Sequence, residues 1–145
     1  MTRDLFVLNI NSDIKNIRLV RRMLKIFLGF QGINEDEIFK IELAVNEALA
    51  NIIEHTYKFD STKRIIICFS IAGDEIHITF RDFGEKVDPS KIKVKIPPEV
   101  LSENGRGIYI IKSMVDEFKF DDKVDKGNLL HLKKFFSSQR ESSRQ

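Results

Sequence analysis

The sequence is short of cysteine, tryptophan and proline, and neither sign of charge is in clear excess. Its only cysteine, Cys68, cannot form a disulfide within the chain, and the histidines lie too far apart in the sequence to suggest a zinc site. With 24 basic and 22 acidic residues, the formal net charge of +2 is too small for a broad electrostatic footprint on nucleic acid or anionic lipid. We therefore expect a cytoplasmic protein with no direct nucleic-acid partner and no membrane partner, whose binding depends on a local site.

Long apolar runs are also missing. The longest, Ile65 to Phe69, is far below the roughly 18 residues of a membrane-spanning helix, and Met1 to Ile10 contain no apolar stretch of the kind that an export signal needs. The hydrophobic share of 42% among 145 residues is nevertheless enough to bury one core without disulfides. We expect a single domain over residues 1–136 and a disordered tail over residues 137–145.

Two hydrophobic periodicities alternate along the chain, one typical of helices and one typical of strands. The predicted order is a strand at Asp4–Asn11, a helix reaching about Phe30, a helix over Glu35–Tyr57, strands at Arg64–Ala72 and Glu75–Asp82, a short helix after Gly105 and Gly107, and strands near Glu117–Asp121 and Leu129–Phe136. This order favours an α+β fold, a two-layer sandwich with helices on one face of a mixed, mostly antiparallel sheet. All three prolines fall between Asp82 and Asn104, which predicts a long loop that we interpret as a candidate lid.

The second helix carries a carboxylate and an amide at a spacing suited to metal binding. At about 100° per residue, Glu47 and Asn51 lie about 40° apart and one turn apart. Their oxygens can hold a hard cation such as Mg²⁺ or orient a hydroxyl group. The same spacing occurs at Glu42 and Asn46, so spacing alone does not choose between the two pairs, and an exposed polar helix face remains the alternative for either.

The second hairpin strand ends with an acid, Asp82, which follows a series of apolar residues at alternate positions. The alternation of Ile78, Phe80 and Asp82 directs this carboxylate toward the core side of the sheet. Gly84, two residues later, lacks a side chain, so a flat ligand could approach and donate an amine hydrogen bond to Asp82. The alternative is a simple turn that ends the strand.

A pair of glycines lies where the long loop is predicted to become a helix. The backbone N–H groups of Gly105 and Gly107 and the positive end of the helix could receive phosphate oxygens, with Arg106 adding charge. Short stretches of this kind are often only turns, and neither a complete dinucleotide fingerprint nor a phosphate loop of the Walker type occurs in the sequence.

Three motifs taken in order resemble the boxes of the Bergerat ATP-binding fold. They are Asn46 to Tyr57, then Arg81-Asp82-Phe83-Gly84 with Asp88-Pro89, then Asn104-Gly105-Arg106-Gly107-Ile108. In this order the chain is similar to the anti-sigma-factor serine kinases over nearly its whole length. The resemblance also selects Glu47 and Asn51 over the pair one turn earlier, because the family's acid is followed four residues later by its metal-binding asparagine.

The resemblance implies a role for each matching residue. Asn51 would coordinate Mg²⁺ between the ATP phosphates, Glu47 would be the catalytic acid/base, and Asp82 would receive the adenine amine beside Gly84. The remaining cofactor-binding residues implied are Gly105, Arg106 and Gly107 around the phosphates, and Asn128 near adenine. The chain departs from the family here, since Gly127-Asn128 stands where Gly-Thr is usual.

The function implied is that of an ATP- and Mg²⁺-dependent protein-serine kinase that binds and inhibits a sigma factor and phosphorylates an anti-anti-sigma protein. The resemblance also favours a homodimer. Two alternatives stay open on the sequence: a nucleotide-binding regulatory module without kinase activity, and a fragment of a sensor histidine kinase. The second is disfavoured because the residues before the Glu47 helix are too few for a phospho-acceptor helical hairpin.

Overall fold

The structure, a computed structural model, describes residues 3–88 and 103–136. Its strands are β1 (Asp4–Asn11), β2 (Arg64–Ala72), β3 (Glu75–Asp82), β4 (Glu117–Phe120) and β5 (Asn128–Phe135), and its helices are α1 (Lys15–Phe30), α2 (Glu35–Asn51) and α3 (Glu103–Met114). One π-helical turn, Ile52–Thr56, extends α2. Every predicted helix and strand is therefore confirmed, whereas most of the predicted lid and the predicted tail lie outside the described residues.

The five strands form one sheet in the order β1-β2-β3-β5-β4. Each neighbouring pair in this sheet is antiparallel, so the described sheet contains no parallel pair and is more regular than the mixed sheet expected. The α+β class is confirmed. Because β5 lies between β3 and β4, its first residue, Asn128, stands opposite Asp82, the last residue of β3.

One face of the sheet is apolar and the helices cover it. Phe69 of β2 stands opposite Phe6 of β1 and Ile78 of β3, and the buried residues of β2 alternate with less buried ones. The helical side of the core is supplied by residues that recur at helical spacing: Val20, Leu24 and Leu28 of α1, and Ile38, Ile41, Val45 and Leu49 of α2. These two sets build one continuous core.

The central helix α2 begins and ends for identifiable reasons. The Asn34 side chain accepts a hydrogen bond of 3.0 Å from the Glu37 backbone N–H, which caps the helix, and the first turn is acidic as the helix dipole favours. At its other end the Tyr57 N–H donates to the Ile52 carbonyl at 2.8 Å. This π turn places His55 and Thr56 at the cavity described next.

Candidate nucleotide site

A cavity of about 290 Å³ lies between α2 with its π turn, the start of α3, and the strands β3, β4 and β5. Its walls are mainly apolar and come from Ala48, Ile52, Ile108, Ile111, Phe118, Phe120 and Leu130. Its polar lining includes Asn51 on α2 and Asp82 at the end of β3, and the other polar lining residues are His55, Thr56, Glu85, Lys86 and Asp88. A mostly apolar cleft with a few well-placed polar groups is the usual form of a small-molecule site.

Asp82 is the most deeply buried acid of this cavity, with only 2% of its surface exposed. Its Oδ1 accepts hydrogen bonds from the Gly84 backbone N–H at 3.1 Å and from Asn128 Nδ2 at 3.0 Å. Burial raises the pKa of the Asp82 carboxyl, and these hydrogen bonds oppose that rise. Two donors on Oδ1 fix the orientation of the carboxylate, which can accept a further hydrogen bond from a ligand that carries a donor.

The structure gives a packing reason for glycine at position 84. A Cβ at this position would lie 2.5 Å from Thr56 Cγ2 and 3.4 Å from the Tyr57 ring. The missing side chain therefore makes room for the π turn, and Thr56 in turn lines the cavity. Gly84 supports the wall of the site from behind.

Tyr57 belongs to the same support, although the sequence analysis gave it no role. Its hydroxyl accepts a hydrogen bond of 2.6 Å from the Phe83 N–H and donates one of 2.7 Å to the Arg64 carbonyl. The turn after Asp82 is thus tied to β2 through a buried side chain. Tyr57 is the last residue of the first motif, and this position within the motif was the only signal for it.

Arg81 fixes the same turn from the other side of the sheet. Its guanidinium lies 4.6 Å from the centre of the Phe83 ring, and its Nη1 donates to the carbonyls of Asp82 and Lys126 at 2.9 and 2.7 Å. A planar cation on an aromatic face with carbonyl acceptors at its edge holds the start of the turn in place.

Glu47 and Asn51 meet α3 at its second glycine. A Cβ on Gly107 would lie 2.9 Å from Glu47 Oε2 and 3.5 Å from Asn51 Oδ1. Burial raises the pKa of the Glu47 carboxyl, and the negative charge of Glu54 raises it further. The predicted acid and amide therefore share one location, and Asn51 also lines the cavity.

The alternative pair on α2 has a structural partner. Arg21 of α1 donates from Nη1 to Asn46 Oδ1 at 3.2 Å, and its Nη2 lies 3.9 Å from Glu42 Oε2. Glu42 and Asn46 thus join α1 to α2 and face away from the cavity residues.

The predicted start of the third helix, after Gly105 and Gly107, is wrong. The helix α3 begins at Glu103, so Gly105 and Gly107 lie inside it and do not precede it. Gly105 belongs to its first turn. Gly107 is buried, Arg106 is exposed, and the next residue, Ile108, lines the cavity.

Among residues 3–88 and 103–136, no group of three or more His, Cys, Asp and Glu side chains is arranged to hold a metal ion. Glu47 and Asn51, which both lie close to Gly107, carry carboxylate and amide oxygens of the kind that Mg²⁺ accepts as ligands. Within the same residues, no helix is long and apolar enough to cross a membrane.

Comparison with known proteins identifies relatives of this chain. A family model described as a histidine kinase-like ATPase domain matches residues 10–134. The serine-protein kinase RsbW of Bacillus licheniformis is 27% identical over 131 residues, which cover 86% of this chain and 81% of that protein. The serine-protein kinase RsbW of Staphylococcus epidermidis is 31% identical over 124 residues, which cover 80% of this chain and 78% of that protein.

Solved structures share the fold. The crystal structure of the RsbU and RsbW domains of a Mycobacterium tuberculosis protein matches 92% of this chain with a TM-score of 0.67 at 21% identity, and this chain spans 32% of that one. The histidine kinase domain of a blue-light activated histidine kinase from Erythrobacter litoralis matches 90% of this chain, and 64% of its own, with a TM-score of 0.56 at 16% identity. The family model and the two RsbW relatives, which are similar to this chain over most of their length, show its family. The chain belongs to the histidine kinase-like ATPase domain family and, within it, to the RsbW serine-protein kinases.

Proposed function

We propose that this chain is an ATP- and Mg²⁺-dependent protein-serine kinase that binds and inhibits a sigma factor and phosphorylates an anti-anti-sigma protein. The observation that carries the proposal is that one cavity is lined by both Asp82 and Asn51, with Glu47 one turn from Asn51. A nucleotide needs such a pair of sites, one for its base and one for its phosphates. The alternative of a regulatory module without kinase activity is not favoured, because the relatives are named as serine-protein kinases.

The adenine end of the site is explained by Asp82 and its apolar surroundings. Asn128 and Gly84 occupy Oδ1 of this carboxylate, so the other oxygen, Oδ2, is the acceptor for the adenine amine. The flat base would lie against apolar side chains such as Ile52, Ile111 and Leu130. Guanine presents a carbonyl at the same place, and two acceptors would face each other there.

The phosphate end of the site is explained by α2 and α3 together. Asn51 would offer an amide oxygen to Mg²⁺, and the bound metal would supply positive charge to the phosphates. Gly105 and Arg106, in the first turn of α3, offer a backbone N–H and a positive charge to the phosphates. Gly107 keeps the space between the helices free of a side chain, so Glu47 can reach its position.

Glu47 is the group that would accept the proton of the incoming serine hydroxyl. Its pKa is raised by burial and by Glu54, and a raised pKa makes a carboxylate a stronger base. The rest of the catalysis is positioning, because phosphoryl transfer needs the two oxygens in line and the charge of the phosphates neutralised.

The partners, the assembly and the location follow from the family and are part of the proposal. A sigma factor would be held until the anti-anti-sigma protein competes for the kinase, and phosphorylation of that competitor would restore the inhibited state. We further propose a homodimer in the cytoplasm. Analytical ultracentrifugation of the protein alone, and then with each partner, tests the assembly.

The kinase activity is tested by incubation with labelled ATP, Mg²⁺ and candidate anti-anti-sigma proteins. We expect transfer of label to a serine of one of them. The variant Glu47→Gln should keep ATP binding and lose transfer, because an amide cannot accept the serine proton. Its matched control is Glu42→Gln, on the same helix beside Arg21, which should keep both. Transfer by Glu47→Gln at the wild-type rate would show that another group is the base.

A further inference from the structure

Asn128 is a buried residue, with 6% of its surface exposed, whose amide nitrogen and amide oxygen both bind other groups of the protein. Its Nδ2 donates to Asp82 Oδ1 at 3.0 Å and to the Glu85 carbonyl at 2.8 Å. Its Oδ1 accepts from the Val87 N–H at 2.8 Å. An amide carries two N–H donors, so both donors are used and none is left for a nucleotide.

The backbone is shaped so that Asn128 can reach this position. Gly127 has a φ of +71°, and a Cβ there would lie 2.1 Å from the Asp82 carbonyl oxygen. Only glycine tolerates both the left-handed conformation and the close approach. The chain thus enters β5 in contact with the end of β3, and Asn128 faces Asp82 across the pairing.

The three hydrogen bonds of Asn128 link two parts of the proposed ATP site. One part is the carboxylate of Asp82, and the other is the cavity wall that contains Glu85, Lys86 and Val87. Gly84 N–H also donates to Asp82 Oδ1, but it cannot hold the wall at 85–87. A single side chain therefore sets the distance between the base-binding acid and the wall beside it.

On the basis of the proposed function, we propose that Asn128 is a positioning residue that touches no nucleotide, holds Asp82 in the orientation that accepts the adenine amine, and couples this recognition to residues 85–87. This differs from a contact with adenine, which the resemblance alone implies for this position. A threonine at the same place has one hydroxyl donor and cannot make all three hydrogen bonds.

The ionisation of Asp82 gives a readout that a purely structural role would not move. Burial raises the pKa of Asp82, whereas the hydrogen bonds from Asn128 and Gly84 and the positive charge of Arg81 lower it. The Tyr57 hydroxyl, which is neutral over the acid range, also lies close to Asp82. The titratable side chains that line the same cavity as Asp82 are His55, Glu85, Lys86 and Asp88. Removal of the Asn128 donor raises the pKa of Asp82 further, so ATP affinity, which needs the carboxylate, should begin to fall at a higher pH.

The test compares wild type, Asn128→Ala and Ser70→Ala by calorimetric titration with ATP and Mg²⁺ at a series of acid to neutral pH values. Ser70 is a buried polar residue of β2 outside the cavity and is the matched control. We expect Asn128→Ala to bind ATP about tenfold more weakly at neutral pH and to lose affinity at a higher pH than wild type. Hydrogen exchange of the Val87 amide, measured without nucleotide, should become faster in Asn128→Ala alone.

The outcomes separate this inference from the proposed function. A wild-type protein that binds no ATP overturns the proposed function and the adenine part of the inference, while Val87 exchange in the nucleotide-free protein still decides the coupling part. If wild type binds ATP and Asn128→Ala has the same ATP affinity, the same pH dependence of binding and the same protection of the Val87 amide as wild type, the inference alone is overturned. Should Asn128→Ala not fold, Asn128→Thr serves instead. It keeps a donor for Asp82, so ATP binding should persist while Val87 protection is lost, and retained protection would contradict the coupling.

Discussion

Replacement of Gly107 by alanine should stabilise the fold and impair catalysis at the same time. Gly107 lies inside α3, where alanine is favoured over glycine by roughly 0.5–1 kcal/mol because glycine loses more backbone freedom on folding. The added Cβ would, however, lie 2.9 Å from Glu47 Oε2, closer than carbon and oxygen atoms normally approach. The two effects have opposite signs and different locations, so they can be measured separately.

The size of the catalytic effect follows from what must move. The closest atom is the end of a glutamate side chain, which can shift by a few tenths of an ångström without unfolding the helix. Asn51 Oδ1 would be at 3.5 Å, an ordinary contact distance, so the metal-binding amide is left in place. Since displacement of a catalytic group by about 1 Å can cost about 100-fold in rate, we expect a loss in kcat of about tenfold, with ATP affinity changed by less than about threefold.

The assay is serine phosphorylation of the anti-anti-sigma substrate, with thermal unfolding and ATP titration of the same preparation. The chain offers a matched control in Gly29→Ala. Gly29 lies on α1 with nothing within 4 Å of its added Cβ, so this variant should gain similar helix stability and keep the wild-type rate. A Gly107→Ala enzyme with the wild-type kcat would refute the reasoning. A loss of ATP affinity as large as the loss of rate would instead place Gly107 against the phosphates.

Three further predictions concern the site residues. Asn51→Ala should weaken Mg²⁺-dependent ATP binding by about 1–3 kcal/mol. The control Asn46→Ala, which loses a hydrogen bond from Arg21, should bind ATP as wild type does. Equal ATP affinities of Asn51→Ala and wild type in calorimetry would show that Asn51 is not part of the site. Asp82→Asn should lower ATP affinity about tenfold or more, and wild-type protein should prefer ATP to GTP in competition. Because Glu47 must be ionised to act and its pKa is raised, phosphorylation should fall as pH drops through that raised pKa. Glu54→Gln removes one cause and should move this fall to lower pH, and an unchanged pH profile would contradict the assignment.

The helices and strands could be predicted because their apolar residues recur at helical or strand spacing. The register of the proposed catalytic pair could not be obtained from spacing, since Glu42 and Asn46 repeat the pattern of Glu47 and Asn51. The pairs differ in what other helices bring to them: Arg21 from α1 for the first and Gly107 from α3 for the second. Such contacts join distant parts of the chain and leave no local pattern.

The supports of the adenine end were missed for a related reason. Tyr57 and Asn128 act on backbone atoms of residues 83, 85 and 87, and backbone atoms carry no sequence signal of their own. Gly84 was recognised as a necessary glycine, but its close neighbour proved to be Thr56. A glycine in the sequence can indicate that its position has no room for a side chain, whereas only the folded structure shows which group lies close to it.

The position of β5 between β3 and β4 also determines when the site comes into existence during protein synthesis. Until residue 128 has left the ribosome, Asp82 lacks one of the two donors that orient it, and β3 is paired with β2 alone. A growing chain that already carries Glu47, Asn51 and the whole of α3 therefore has no complete adenine site. ATP can then stabilise only chains in which the last strand is in place, since a ligand stabilises the state that binds it. The nucleotide that serves as phosphate donor would in this way also favour completely folded molecules.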